Sequence, residues 1–185
     1  MIAGSASSFA ANPPVDLGAD DLAALADRRV VVRPELDGPG GSVLAVVDLA
    51  APPTAAIDAI LDLPARVGEI RGLAAAEVYT ATPTEVGVRW EVRVLGSSTV
   101  FHVAYHPDRS TGSIPYALDP TRSPNDLVRA EGAYQVTPIA GGSRIVYRSS
   151  SDSGRSVPGW LERWIATDAV TQQLEGIRAR AEASR

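Results

Sequence analysis

The last third of the chain restricts the fold most. Gly132-Ala133-Tyr134-Gln135-Val136-Thr137-Pro138 reads as a strand, Gly141-Gly142 as a turn and Arg144-Ile145-Val146-Tyr147 as a second strand. Val157-Pro158-Gly159-Trp160-Leu161 then opens a helix reaching about Ala183, with proline in the first turn, where its missing N–H costs nothing. On a helical wheel Trp160, Trp164, Val170, Leu174, Ile177 and Ala181 share one face with Thr167 and Thr171, while Glu162, Gln173, Arg180 and Glu182 lie opposite or flank it. A curved antiparallel sheet closed by one long amphipathic helix can enclose an apolar space. A pocket for a hydrophobic ligand is therefore the leading expectation.

Upstream, the period of the apolar pattern changes. Asp20 or Asp21 is placed to cap a short helix carrying Leu22 and Leu25. Arg29–Arg33 and Val43–Leu49 flank the Asp37–Gly41 turn signal and predict a hairpin. Pro52 and Pro53 start a helix with Ile57, Ile60 and Leu61 at helical spacing. Pro64 interrupts it, and Val67 and Ile70 predict a second short helix ending near Gly72. From there the period is two. Strands are predicted at Leu73–Thr82, Glu85–Leu95, Thr99–His106, Ser113–Leu118, Leu127–Thr137 and Ser143–Ser151, joined by short loops that imply antiparallel neighbours.

Composition removes several function classes. The 185 residues are 45% hydrophobic, enough for one sizeable core. Net charge is -5, so the chain offers no basic surface for nucleic acid. Every lysine-or-arginine position is arginine, and the arginines are scattered. There is no cysteine, hence no disulfide, thiolate metal site or cysteine nucleophile. Residues 1–14 lack the basic and long apolar regions of a complete signal peptide, which leaves both the cytoplasm and export after signal removal open. No Gly-x-Ser-x-Gly elbow or phosphate-binding glycine loop occurs. His102 and His106 at i,i+4 have no evident third ligand, so neither a metal nor a cofactor is expected.

Alternation assigns the inner faces of the strands. Val86, Val88, Trp90, Val92 and Val94 form one set; Phe101, Val103 and Tyr105 a second, which turns His102 and His106 outward. Ile114, Tyr116 and Leu118, Tyr134 with Val136, and Ile145 with Tyr147 complete the inner face. Glu77, Glu91 and Glu131 are expected outside, paired with Arg89, Arg93 or Arg129. Thr167 and Thr171 either present hydroxyls inward or bond back to their own helix. Alternate loops of a meander share an end, so Gly96–Ser98, Pro120–Asp126 and Ser153–Val157 should cluster beside the start of the long helix and form the mouth.

Several motifs recur in a known order: Ala51-Pro52-Pro53, Asp62-Leu63-Pro64, Ile114-Pro115-Tyr116-Ala117-Leu118, Gly132-Ala133-Tyr134, Pro138, Gly141-Gly142-Ser143-Arg144, Tyr147 and Val157-Pro158-Gly159-Trp160-Leu161. The chain resembles the helix-grip fold of the START-domain and plant pollen-allergen superfamily, also called SRPBCC, and within it the bacterial polyketide cyclase/dehydrase and lipid-transport group. The resemblance implies an α+β domain over residues 43–184, preceded by a leader (1–18) and an added helix and strand (19–42). It also implies a cavity between sheet and helix, lined by Val88, Trp90, Val92, Phe101, Val103, Tyr116, Tyr134, Tyr147, Trp164, Thr167, Thr171 and Leu174. The expected partner is a small hydrophobic molecule, with transient membrane contact through Trp160 and Trp164 as an option and oligomeric state undetermined. The alternatives are a cyclase or dehydratase, for which Tyr116, Tyr134, His102 and Glu91 are the first candidates, and an interaction module with a filled core.

Overall fold

The computed structural model describes residues 15–35, 41–94, 96–154 and 159–184, with backbone alone at 35, 94 and 159–166. The leader up to Pro14, the turn residues 37–40, the loop residues 155–157 and the side chains of Trp160 and Trp164 lie outside the described residues. In chain order the elements are α1 (Ala19–Ala26), β1 (Val31–Glu35), β2 (Gly41–Leu49), α2 (Pro53–Leu61), a single 3-10 turn (Pro64–Arg66), β3 (Leu73–Ala81), β4 (Val86–Val94), β5 (Ser97–Tyr105), β6 (Ser113–Leu118), β7 (Arg129–Ile139), β8 (Gly142–Asp152) and α3 (Gly159–Ala183). The eight strands form one antiparallel sheet in the order β1-β2-β8-β7-β6-β5-β4-β3. It curves around α3 as a helix-grip fold.

Local chemistry accounts for the elements and for two departures from expectation. Neither Asp20 nor Asp21 caps α1. Gly18 occupies the cap, and its N–H donates to the Asp21 carboxylate at 2.9 Å from the third helical position. The second short helix is reduced to one 3-10 turn. Val67 is already extended, and Gly68 and Gly72 adopt φ of 91° and 85°, a backbone that glycine enters without a Cβ clash. The segment between them crosses from α2 to the sheet as a strap.

The core lies between the concave face of the sheet, α2 and the C-terminal half of α3. Val47, Ile60, Leu63, Val88, Ile145, Leu174 and Ile177 are completely buried there, each worth roughly 1.5–3 kcal/mol of removed apolar surface. A bidentate pair fixes the β2–β8 register: Arg144 donates to both Asp48 oxygens at 2.6 and 2.8 Å across partnered positions. The N-terminal addition covers the opposite face, where Leu25 and Val31 pack on Val46 with Val15, Leu17 and Val146. It also ties down the end of α3. Arg28 donates to Glu182 at 2.7 Å, Arg178 donates to the Arg28 carbonyl at 2.6 Å, and Glu182 accepts the Ala50 N–H at 2.8 Å.

Candidate functional site

A cavity of about 290 Å³ opens between the sheet and α3. Its walls come from β4 and β5 (Trp90, Val92, Phe101, Val103, Tyr105), from β6 and β8 (Tyr116, Tyr147, Ser149, Ser151) and from α3 (Ala169, Val170, Gln173). The strap supplies Ile70 and Arg71, and the 3-10 turn supplies Arg66. Gly41, Ser42 and Leu127 line the end where the β4–β5 turn and the start of β7 meet the close of β8. None of the described residues of the loops expected to form the mouth, Gly96–Ser98, Pro120–Asp126 and Ser153–Val157, is itself among the lining.

Six of the residues predicted to contact a ligand meet at this cavity: Trp90, Val92, Phe101, Val103, Tyr116 and Tyr147. Val88 and Leu174 are instead packed solid, each at 0% exposure. Tyr134 is buried behind the wall, where Gln173 Nε2 donates to its hydroxyl at 2.7 Å. Thr167 and Thr171 do not line the cavity, and Thr171 donates back to the Thr167 carbonyl at 2.9 Å. Trp164 lies outside the described side chains.

Two polar clusters interrupt the apolar lining. The first is self-satisfied: the Tyr116 hydroxyl donates to Ser149 Oγ at 2.8 Å and lies 2.9 Å from the Tyr147 hydroxyl. The Tyr116 ring fits because β7 has Gly132 beneath it; a Cβ there would stand 2.6 Å from the Tyr116 oxygen and 2.2 Å from the Arg148 carbonyl. Burial pushes the phenols of Tyr116 and Tyr134 well above their ordinary range. The second cluster centres on Arg66, a cation only 2% exposed. Its guanidinium lies 5.7 Å from the ring centres of Trp90 and Tyr134 and 6.0 Å from that of Tyr105. Nη2 donates to the Ile60 carbonyl at 2.7 Å and Nη1 contacts Gln173 Oε1 at 3.5 Å, whereas Nε is buried without a partner. No carboxylate or histidine is among the described lining residues.

The carboxylates and histidines named as candidate acids and bases face away from the cavity. Glu91 sits on the convex face between Arg93 and Arg89, at 2.6 and 3.4 Å, and hydrogen bonds from Arg93 foremost hold its carboxyl below the usual range. Glu77 and Glu131 are likewise outside, near Arg89 and Arg129. His106 is exposed as expected. His102 points outward yet is buried. The chain after β6 folds over it, Nδ1 lies 3.1 Å from the Pro124 carbonyl, and its backbone N–H donates to Asn125 at 2.7 Å. Among the described residues no cluster of three potential metal ligands occurs, and no described helix is long and apolar enough to cross a membrane.

Sequence reasoning misses Arg66, Arg71, Ile70, Gln173 and Ser149. The helical wheel puts Gln173 opposite or beside the apolar face of α3, and Arg66 falls in a segment that reads as helical. Nothing local marks an arginine in Leu63-Pro64-Ala65-Arg66-Val67 as buried.

A curved sheet gripping a long helix, with an apolar cavity between them, defines a START-like protein of the SRPBCC class. The match to the family described as polyketide cyclase/dehydrase and lipid transport spans residues 41–182, and the chain belongs to that family. Among solved structures it is similar to a STAR-related lipid transfer protein fragment from Xanthomonas axonopodis, with 23% identity and a TM-score of 0.65, covering 82% of this chain and 92% of that one. It is similar to the Zhui aromatase/cyclase from Streptomyces sp. R1128, with 13% identity and a TM-score of 0.57, covering 83% and 93%. It is also similar to human STARD10, with 15% identity and a TM-score of 0.61, covering 80% and 69%. At these identities the likeness shows the fold alone. Comparison with curated protein sequences gives no match.

Proposed function

We propose that the protein binds and carries a small hydrophobic molecule, such as a lipid, a quinone or a polyketide-like aromatic, between the sheet and α3. The observation that carries this reading is the apolar cavity of about 290 Å³ faced by Trp90, Val92, Phe101, Val103, Tyr116 and Tyr147. Each Å² of ligand surface buried there contributes about 25 cal/mol. The family and the lipid-transfer neighbour fit this reading. A cyclase or dehydratase using the same cavity is the second reading, in keeping with the aromatase/cyclase neighbour. It has less support. Glu91 and His102 lie on the far side of the sheet, and the raised phenols of Tyr116 and Tyr134 stay protonated at neutral pH, so neither serves as a base.

Native mass spectrometry of freshly purified protein, followed by organic extraction, tests the proposal. A stoichiometric apolar passenger is the expected result. A clean apo mass, with no shift in Tm across a lipid, quinone and polyketide panel, would overturn it in favour of an interaction module.

A further inference from the structure

Arg66 carries five N–H donors, and two of them account for its bonds to Ile60 and Gln173. The Nε–H is buried and has no acceptor among the described residues. The neighbouring phenols do not correct this. They present ring faces to the guanidinium, with centres at 6.0 Å for Tyr105 and 5.7 Å for Tyr134, and an un-ionised phenol carries no counter-charge. Gln173 donates to Tyr134 as well. Tyr105 lines the cavity beside Arg66. This wall holds a surplus of donors and one full positive charge, in a cavity whose described lining contains no acid. A charge taken out of water is costly unless a counter-charge meets it, and the described protein supplies none. The adjoining Tyr116–Tyr147–Ser149 cluster makes the contrast, since hydrogen bonds link its hydroxyls to one another.

The geometry points to an apolar carboxylic acid as the ligand, its carboxylate seated on the Arg66 guanidinium and the Tyr105 hydroxyl and its body lying along Trp90, Phe101 and Val103. This rests on the proposed binding function and adds the ligand class and its orientation. A carboxylate only accepts, and its two oxygens match the free N–H groups on a planar guanidinium. An alcohol or amine head would bring further donors to a wall that already lacks acceptors. A phosphate would bring more oxygens than the remaining donors satisfy.

The test is a matched pair of probes, 2-naphthoic acid and 2-naphthalenemethanol, titrated by calorimetry at neutral pH into wild type, Arg66→Gln and Tyr105→Phe. Wild type should bind the acid at least about tenfold more tightly than the alcohol, the range of a charge-assisted hydrogen bond. Arg66→Gln should erase that preference while still binding the alcohol. Tyr105→Phe keeps the charge and should reduce the preference in part, which provides the test if Arg66→Gln does not fold. Equal affinity for the two probes on wild type, or a preference that survives both substitutions, overturns the acid assignment alone. Absence of binding by either probe overturns the cavity as a binding site and the acid assignment with it.

Discussion

Between α2 and the C-terminal half of α3 the interior is solid: Ile57, Ile60, Leu63, Ile145, Leu174 and Ile177 are each at or below 2% exposure. Toward the other end of the same helix and sheet, Ala169, Val170 and Gln173 face Trp90, Phe101 and Tyr147 across open space. The difference lies in what fills the gap. In the solid half α2 inserts a third layer of small and branched side chains. Beyond Pro64 that layer stops, and one 3-10 turn and a strap replace it. Rings and a guanidinium line the remaining gap without closing it. The solid half fixes the position of the helix, and the hollow half is free to specialise.

Ile60→Ala should have the largest effect. It removes a fully buried side chain in the solid half and is expected to cost about 2–5 kcal/mol in urea unfolding, with naphthoic acid affinity unchanged in the folded protein. Phe101→Ala, on the hollow side, should cost less stability, about 1–2 kcal/mol, yet weaken the same probe. If the two substitutions moved stability and affinity in parallel, the division into halves would fail. Gly176→Ala sharpens the boundary. The Gly176 position admits the Glu69 carboxylate, whose oxygen would stand 2.2 Å from an added Cβ, and Glu69 pairs with Arg180 there. Displacing it should raise amide hydrogen exchange at residues 69–72 while leaving the core amides of β7 and β8 protected; unchanged exchange in the strap would show that this contact does not hold it.

The smallest effect concerns the exposed loop after β5. Hydrogen bonds from the Ser110 side chain first, and then from Thr111, lower the Asp108 carboxyl from 3.8 to about 2. A depressed folded-state value means that this contribution is complete above the unfolded value and disappears as pH falls through about 2. The difference in urea midpoint between wild type and Asp108→Asn should therefore be constant above about pH 5 and shrink between pH 4 and pH 2. A difference that persists at pH 2 would assign it to something other than the carboxylate.

Strand alternation makes the sheet legible, because a period of two reports directly which face is buried. Trp90, Phe101 and Tyr147 follow from that rule. The rule gives sides but no depth, so it does not separate Val88, packed solid, from Trp90, two residues on and beside open space. His102 shows the same limit on the convex face: alternation turns it outward, and only the later chain segment at Pro124 and Asn125 buries it. Arg66 is illegible for a further reason. Its burial depends on rings from β4, β5 and β7, none of them near it in sequence.

The knot of Arg28, Glu182, Arg178 and Ala50 has a mechanical consequence. It clamps α3 at its C-terminal end, and the packed Ile177 and Leu174 extend that root, so the helix is a cantilever whose free length begins beyond Leu174. Thr167 lies about 10 Å further along the beam at 1.5 Å per residue. A tilt of about 5° at the root therefore carries Thr167 through about 1 Å by simple leverage, while Ile177, inside the root, stays in place. The stiffness of that root sets how far a given force displaces Thr167.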